Sequence, residues 1–275
     1  MTCTLDWARD SLRYKFFVRE SNQHQAKMEL RTYMWLVGKY TKEGDTILDP
    51  MSGTGTVHLA NYAGRRTVGV EIMPEFVELQ EKNILFMEDV FNNKKNLYKQ
   101  FGIEPTLPKR HIILPGDCRR VLPLDYEVDA VIFSPPYGSL WKQSKAPQSQ
   151  VNAEKNYNVG YGESDANIGN YNVYPKYLQA MRIVYEKCYQ SLKPGGILVT
   201  VVKDYVTGGR RVPCSRDNLL QCVKAGFTFE DWHFRTTKIA SPFSVKARKQ
   251  REAKGNKRID LNIGYEDIIV VKKET

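Results

Sequence analysis

Residues 131–139 read VIFSPPYGS: an apolar run enters Ser134-Pro135-Pro136-Tyr137 and meets a glycine. Proline lacks the N–H that a strand ladder needs, so a buried strand ends here, with a hydroxyl and a phenol held apart by two rigid residues. A second chemical stretch lies upstream. LDPMSGTGT (48–56) ends a short apolar run at Asp49 and continues through Gly53 and Gly55, which let backbone approach a ligand closely. About twenty residues on, the next apolar run ends in Glu71, placed to accept the two hydroxyls of a ribose. A third run ends in Asp117, whose carboxylate could receive an adenine amino group. Taken singly, a glycine turn is as often structural, and a strand-end acid is often a solvated one. Three in order point to a cofactor of the adenosine type. The loop is not a P-loop, since no G-K-[ST] follows, and it lacks the full G-x-G-x-x-G spacing.

The elements that must position these residues alternate. AKMELRTYMWLVGKY (26–40) carries apolar residues at three- and four-residue steps and predicts an amphipathic helix. TILD (46–49) predicts a strand, TVHLANYAG (56–64) a helix stopped by Gly64, and RTVGVEI (66–72) the second strand. Pro74 opens a long helix. HIILPGD (111–117) and VDAVIFS (128–134) predict further strands, YPKYLQAMRIVYEKCYQSL (174–192) a helix stopped by KPGG, and ILVTVV (197–202) a strand. SRDNLLQCVKAGF starts a helix at a serine cap, and FTFEDWHFR and YEDIIVVKK close the chain as strands. Such alternation implies a mainly parallel sheet with helices on both faces, binding ligands outside the carboxyl ends of its strands. Residues 138–173, rich in Gln, Asn, Ser, Gly and Tyr, predict a long loop.

The 275 residues suffice for one large domain with insertions. Charged residues make up 26% and hydrophobic ones 41%, while the net charge of +10 points to an acidic partner, nucleic acid first. Five cysteines (Cys3, Cys118, Cys188, Cys214, Cys222) form no C-x-x-C and do not cluster with the four histidines. That pattern argues against a zinc site, any other metal site or a disulfide framework, and for a reducing, cytoplasmic setting. No signal peptide is visible, and no apolar run approaches the ~20 residues that span a bilayer.

The order of these motifs resembles the S-adenosylmethionine-dependent amino methyltransferases of DNA. In that family the glycine loop reads D-P-F/M-x-G-x-G-T and the catalytic motif [S/D/N]-P-P-[Y/F/W]. The resemblance runs from about His24 to Val202 and is weaker beyond. It implies a Rossmann-like class I methyltransferase fold: an α/β, mainly parallel, doubly wound sheet of about seven strands with an antiparallel last strand. It also implies a single catalytic domain over 1–275, with the loop 138–173 and a basic loop 236–262 inserted. The cofactor would be S-adenosylmethionine. Its methionine part would meet the loop Asp49, Pro50, Met51, Ser52, Gly53, Thr54, Gly55 and Thr56. Glu71 with Ile72 would take the ribose, and Asp117 with Cys118 the adenine edge. His24, Ala26 and Lys27 resemble the family's remaining cofactor motif.

The resemblance also answers what Ser134, Pro135, Pro136 and Tyr137 are for. An exocyclic amine on a base is a poor nucleophile because its lone pair is delocalised into the ring. Acceptors for both amino hydrogens favour a pyramidal, more nucleophilic nitrogen. The Ser134 hydroxyl and the Pro135 carbonyl could serve, held rigid by the prolines, while Tyr137 offers a stacking face to a flipped base. The methyl would pass directly from sulfonium to nitrogen. Serine in the first position goes most often with the 4-amino group of cytosine in this family, and aspartate with the 6-amino group of adenine. The expected activity is therefore a site-specific N4-cytosine DNA methyltransferase. Adenine N6 is the alternative, then an RNA amino methyltransferase, then a non-catalytic nucleic-acid-binding module. A carbon-5 mechanism needs a cysteine nucleophile after a proline. Pro213-Cys214 is such a pair, but it lies far downstream and reads better as a helix-flanking residue.

For the DNA, residues 238–258 carry eight basic side chains against Glu252, a net +7, and suit phosphate contacts. Lys246, Arg248, Lys249, Arg251 and Lys254 are the candidates there, although charge runs are most often solvated loops. Trp141 and Lys142, directly after the catalytic motif, are the others. The partner expected is double-stranded DNA, with a companion restriction endonuclease possible in principle.

Overall fold

The computed structural model describes residues 4–6, 12–23, 27–136, 166–207, 210–236 and 263–275. Among these the strands are Thr4–Asp6 (β1), Thr46–Asp49 (β2), Arg66–Glu71 (β3), His111–Pro115 (β4), Val128–Phe133 (β5), Leu192–Val202 (β6), Tyr205–Thr207 (β7), Arg210–Val212 (β8), Thr228–Thr236 (β9) and Tyr265–Lys272 (β10). The helices are Arg13–Phe16 (α1), Leu30–Tyr40 (α2), Pro74–Lys94 (α3), Cys118–Val121 (α4), Tyr174–Ser191 (α5) and Cys214–Lys224 (α6).

Eight strands form one sheet in the order β1-β9-β10-β6-β5-β2-β3-β4, while β7 and β8 make a separate hairpin. β10 runs antiparallel to both neighbours, and the other pairings are parallel. The expected doubly wound sheet with an antiparallel last strand is thus the fold, with the short β1 added at its edge. β2, β3 and β4 step outward in one direction, and β5 then returns to the other side of β2. That reversal puts the switch point between β2 and β5, where a crevice opens at the carboxyl ends.

Strands covered on both faces need apolar side chains on both, which is why VDAVIF and ILVTVV are nearly continuous. Ile47, Ala130, Ile132, Val199, Val201 and Ile268 pack on one face with Tyr33, Met34 and Val37 of α2 and Met87 and Phe91 of α3. Leu48, Val131, Phe133, Leu198, Val202 and Ile269 pack on the other with Met181, Val184, Tyr185 and Cys188 of α5 and Cys222 of α6. The period-2 alternation assigns a face to every further residue of these strands.

Several expected boundaries are corrected. Residues Thr56–Ala63 form a 3₁₀ segment rather than an α-helix, set between left-handed Gly55 and Gly64 and opened by two β-branched residues. α2 starts at Leu30, where the Glu29 carboxylate accepts the Thr32 N–H at 2.7 Å. β6 already begins at Leu192, so KPGG lies within the strand and Ser191 ends the helix. Ser215 lies inside the first turn of α6 rather than capping it: its N–H donates to Asp204 Oδ1 at 2.9 Å. Among the described residues no helix is long and apolar enough to cross a membrane.

Candidate active site

The glycine loop is fixed from beneath by α3. Gln80 Nε2 donates to the Gly53 carbonyl at 2.9 Å and Asn83 Nδ2 to the Thr54 carbonyl at 2.8 Å, both side chains fully buried. Ser52 N–H donates to Val70 O at 2.9 Å, tying the loop to β3. His58, also buried, lies 3.0 Å from Gln80 Oε1 and 2.9 Å from Thr67 Oγ1. Burial of that imidazole pushes its pKa down to about 4, so it is neutral at physiological pH. Two glycines are required by space. A Cβ on Gly69 of β3 would stand 2.8 Å from Ser52 Oγ, and one on Gly55, whose φ is +84°, would stand 2.8 Å from Gln80 Cγ.

Two buried acids border the loop. Asp49 Oδ1 accepts the Met51 N–H at 2.9 Å; burial, with Glu71 adding to it, pushes the carboxyl up to about 8. Glu71 accepts Gly53 N–H on Oε2 at 2.7 Å and Met73 N–H on Oε1 at 2.8 Å. Burial still pushes it up to about 7 against those hydrogen bonds. Each Glu71 oxygen keeps a second lone pair for a ligand hydroxyl. Asp117 has a cationic partner. It caps α4 and is gripped by Arg119, with Nη2 2.7 Å from Oδ2 and Nε 3.0 Å from Oδ1. Burial raises its pKa, but the Arg119 hydrogen bonds outweigh that and hold it below the usual value. The same guanidinium donates to Ala166 O at 2.6 Å and Tyr171 Oη at 3.0 Å. The carboxylate expected to receive an adenine amino group is thus held in place by Arg119.

Asp49, Glu71, Asp117 and the glycine loop line one cleft. Of the cofactor residues expected from the sequence, Lys27, Asp49, Pro50, Met51, Ser52, Gly53, Thr54, Thr56, Glu71, Ile72, Asp117 and Cys118 line it. Gly55 does not, and serves as the left-handed turn behind the wall. His24 and Ala26 lie outside the described residues. Phe76, Tyr33 and Asn167 also line the cleft and were not foreseen. Phe76, in the first turn after the β3 acid, was findable by its place; Asn167, in a polar stretch without periodicity, was not.

Ser134 and Pro136 complete the same wall, while Pro135 is buried behind it. Ser134 Oγ donates to the Val201 carbonyl of β6 at 2.9 Å. A hydroxyl has one hydrogen and two lone pairs, so with its hydrogen committed it can only accept from a group in the cleft. Tyr137, Trp141, Lys142, Lys246, Arg248, Lys249, Arg251 and Lys254 lie outside the described residues. Cys214 is fully buried at the start of α6, in the core on the α5–α6 face. Burial pushes its thiol up to about 12, which removes the thiolate that a carbon-5 mechanism requires.

Residues 6–82, which hold the glycine loop, Glu71 and Gln80, match the N6/N4 family model of DNA methylases. Over 79 residues the chain is 34% identical to the Type II methyltransferase M.BglI of Bacillus subtilis, a stretch that spans 28% of this chain and 23% of that relative. Among solved structures, a TehB-like SAM-dependent methyltransferase from Corynebacterium glutamicum is 10% identical, with a TM-score of 0.45 over 90% of this chain and 89% of that one. TrmN from Thermus thermophilus is 13% identical, with a TM-score of 0.41 over 89% of this chain and 48% of that one. Likenesses of that degree leave the fold to be read from the strand order itself. S-adenosylmethionine, the cofactor expected from the sequence, agrees with the family match, which falls on the segment that carries the glycine loop and Glu71.

Proposed function

We propose that the chain is an S-adenosylmethionine-dependent DNA methyltransferase that transfers a methyl group to an exocyclic amino nitrogen, the N4 of cytosine in first place. The observation that carries the reading is Ser134: it lines the same cleft as the glycine loop and Glu71, and its hydroxyl, with the hydrogen committed to Val201 O, is left as an acceptor. In this reading Asp49 to Thr56 hold the methionine part of the cofactor, Glu71 and Ile72 the ribose, and Cys118 beside the Asp117–Arg119 pair the adenine edge. Lys27, with His24 and Ala26, completes that set. The Ser134 hydroxyl and Pro135 carbonyl draw on the two amino hydrogens, Pro136 keeps them rigid, and Tyr137 stacks on the flipped base. Catalysis is then positioning for an in-line displacement, with no covalent intermediate.

The match to the N6/N4 family supports the amino chemistry and is common to both bases; serine as the first motif residue is what favours cytosine. Mass spectrometry of nucleosides from DNA of cells expressing the protein tests this, with fragmentation that separates 4-amino-methylated cytosine from the carbon-5 isomer. The expected result is the 4-amino product. Methylated adenine would keep the mechanism and reverse the assignment of Ser134. Unmodified DNA with cofactor bound would turn the search to RNA.

A further inference from the structure

Alternation along the strands puts one row of polar side chains across the carboxyl edge of the sheet, on the α2 face. Ser134 follows Ile132 on that face, Lys203 follows Val201, Glu266 precedes Ile268, and Arg235 follows His233. The acids nearest Lys203 are already matched. Glu266 takes Arg235 Nε at 2.8 Å. Asp267, on the opposite face, accepts from Ser215 Oγ and from Trp232 Nε1 at 2.9 Å. Asp204 is paired with Arg211 at 2.7 Å. Lys203 is half-buried and makes neither a hydrogen bond nor an ion pair with any described residue. A cation withdrawn from water without a partner is costly, and burial accordingly lowers the pKa of its ammonium, with Glu266 opposing.

Its position gives the missing anion an address. Phe133 pairs with Thr200, so Ser134 is level with Val201, and Lys203 lies two residues further towards the rim on the adjacent strand. That is about 7 Å along and about 5 Å across, well within the reach of a lysine side chain. We propose that Lys203 anchors a backbone phosphate of the nucleotide whose base lies against Ser134. The inference rests on the DNA reading above and adds to it a specificity for a nucleotide carried on a phosphodiester chain rather than a free base. Arg235 is committed to Glu266, and of the four side chains in the row only Lys203 offers an uncommitted charge to such an anion.

The test compares the parent protein with Lys203→Gln and Lys203→Arg, measuring cofactor affinity and binding to a duplex that contains a methylatable site, from 50 to 200 mM salt. One phosphate contact contributes about 0.9 to the slope of log affinity against log salt. The Gln variant is expected to bind DNA more weakly, with the parent's advantage shrinking about three- to fourfold over that range. Cofactor affinity should be unchanged, and Arg should restore most of the loss. A Gln variant with the parent's salt slope overturns the proposal. So does loss of cofactor binding in both variants, which would make Lys203 structural. Failure of the parent to methylate any DNA would refute the function instead, and it is read independently of the salt slopes.

Discussion

Asp49→Asn should make the stability of the unliganded protein less dependent on pH. The carboxyl sits on the cleft wall among Glu71, Tyr33 and the glycine loop, and it accepts the Met51 N–H at 2.9 Å, an interaction the amide oxygen of asparagine can keep. Burial lifts its pKa from 3.8 to about 8. An acid whose folded pKa is raised contributes stability that is complete below its unfolded value, near pH 4, and is lost as pH rises towards 8. Between pH 5 and 7 the folded state therefore holds one proton more at this site than the unfolded state. At about 1.4 kcal/mol per pH unit, the parent should lose about 3 kcal/mol relative to the variant over those two units. Glu71, lifted to about 7, adds a smaller loss common to both proteins. Urea unfolding of the unliganded proteins at pH 5, 6 and 7 measures it. S-adenosylmethionine carries a sulfonium and an ammonium, so it favours the ionised acid. Its affinity for the parent should rise with pH up to about 8 and be flatter for Asp49→Asn. Parallel stability profiles for the two proteins would refute the buried, uncompensated acid, whatever the affinities do.

Ser134→Ala should bind cofactor normally and lose roughly 10²–10³-fold in turnover, the scale for removing one group that acts in the transition state; parental turnover would take Ser134 out of the mechanism. Gln80→Leu keeps the side chain's bulk but strands the Gly53 carbonyl and a His58 nitrogen in the interior. Two such groups cost about 2–5 kcal/mol in denaturant unfolding, with a matching loss of cofactor affinity, and a stable, tightly binding variant would show that the loop needs no support from α3. Replacing Lys246, Arg248, Lys249, Arg251 and Lys254 by glutamine should flatten the salt dependence of DNA binding by several units of slope, and an unchanged slope would mean that the run is solvated in the complex.

What could be read from the sequence was local and periodic. β3 and β5 were legible because a strand buried on both faces must be apolar throughout, and the glycine loop because only glycine suits its left-handed turns. The 3₁₀ segment at 56–63 was not, since its residues satisfy a helical pattern and its form depends on the turns at both ends. Gln80 and Asn83 left a readable sign that went unused. With Met87 and Val90 they occupy one stripe of α3 at three- and four-residue steps, so two amides stand where apolar residues belong. Polar groups there need buried partners, and the loop carbonyls are those partners. Arg119 left no such sign of its bond to the Ala166 carbonyl, which joins residues 47 positions apart. Lys203 showed only as a cation directly after the ILVTVV run.

Along the carboxyl edge the sheet thus changes sign in the direction the proposed reaction needs. Asp49 and Glu71 stand at the ends of β2 and β3, without a basic side chain bonded to either among the described residues, where a cationic methyl donor would lie. Lys203 stands at the end of β6, where a polyanion would approach. Ser134, between them on β5, carries no charge and has its hydrogen tied to Val201. Its hydroxyl still presents an acceptor whose direction β6 sets. Serine at the head of the motif thus adds an acceptor without adding a charge between the acids of β2 and β3 and the cation after β6.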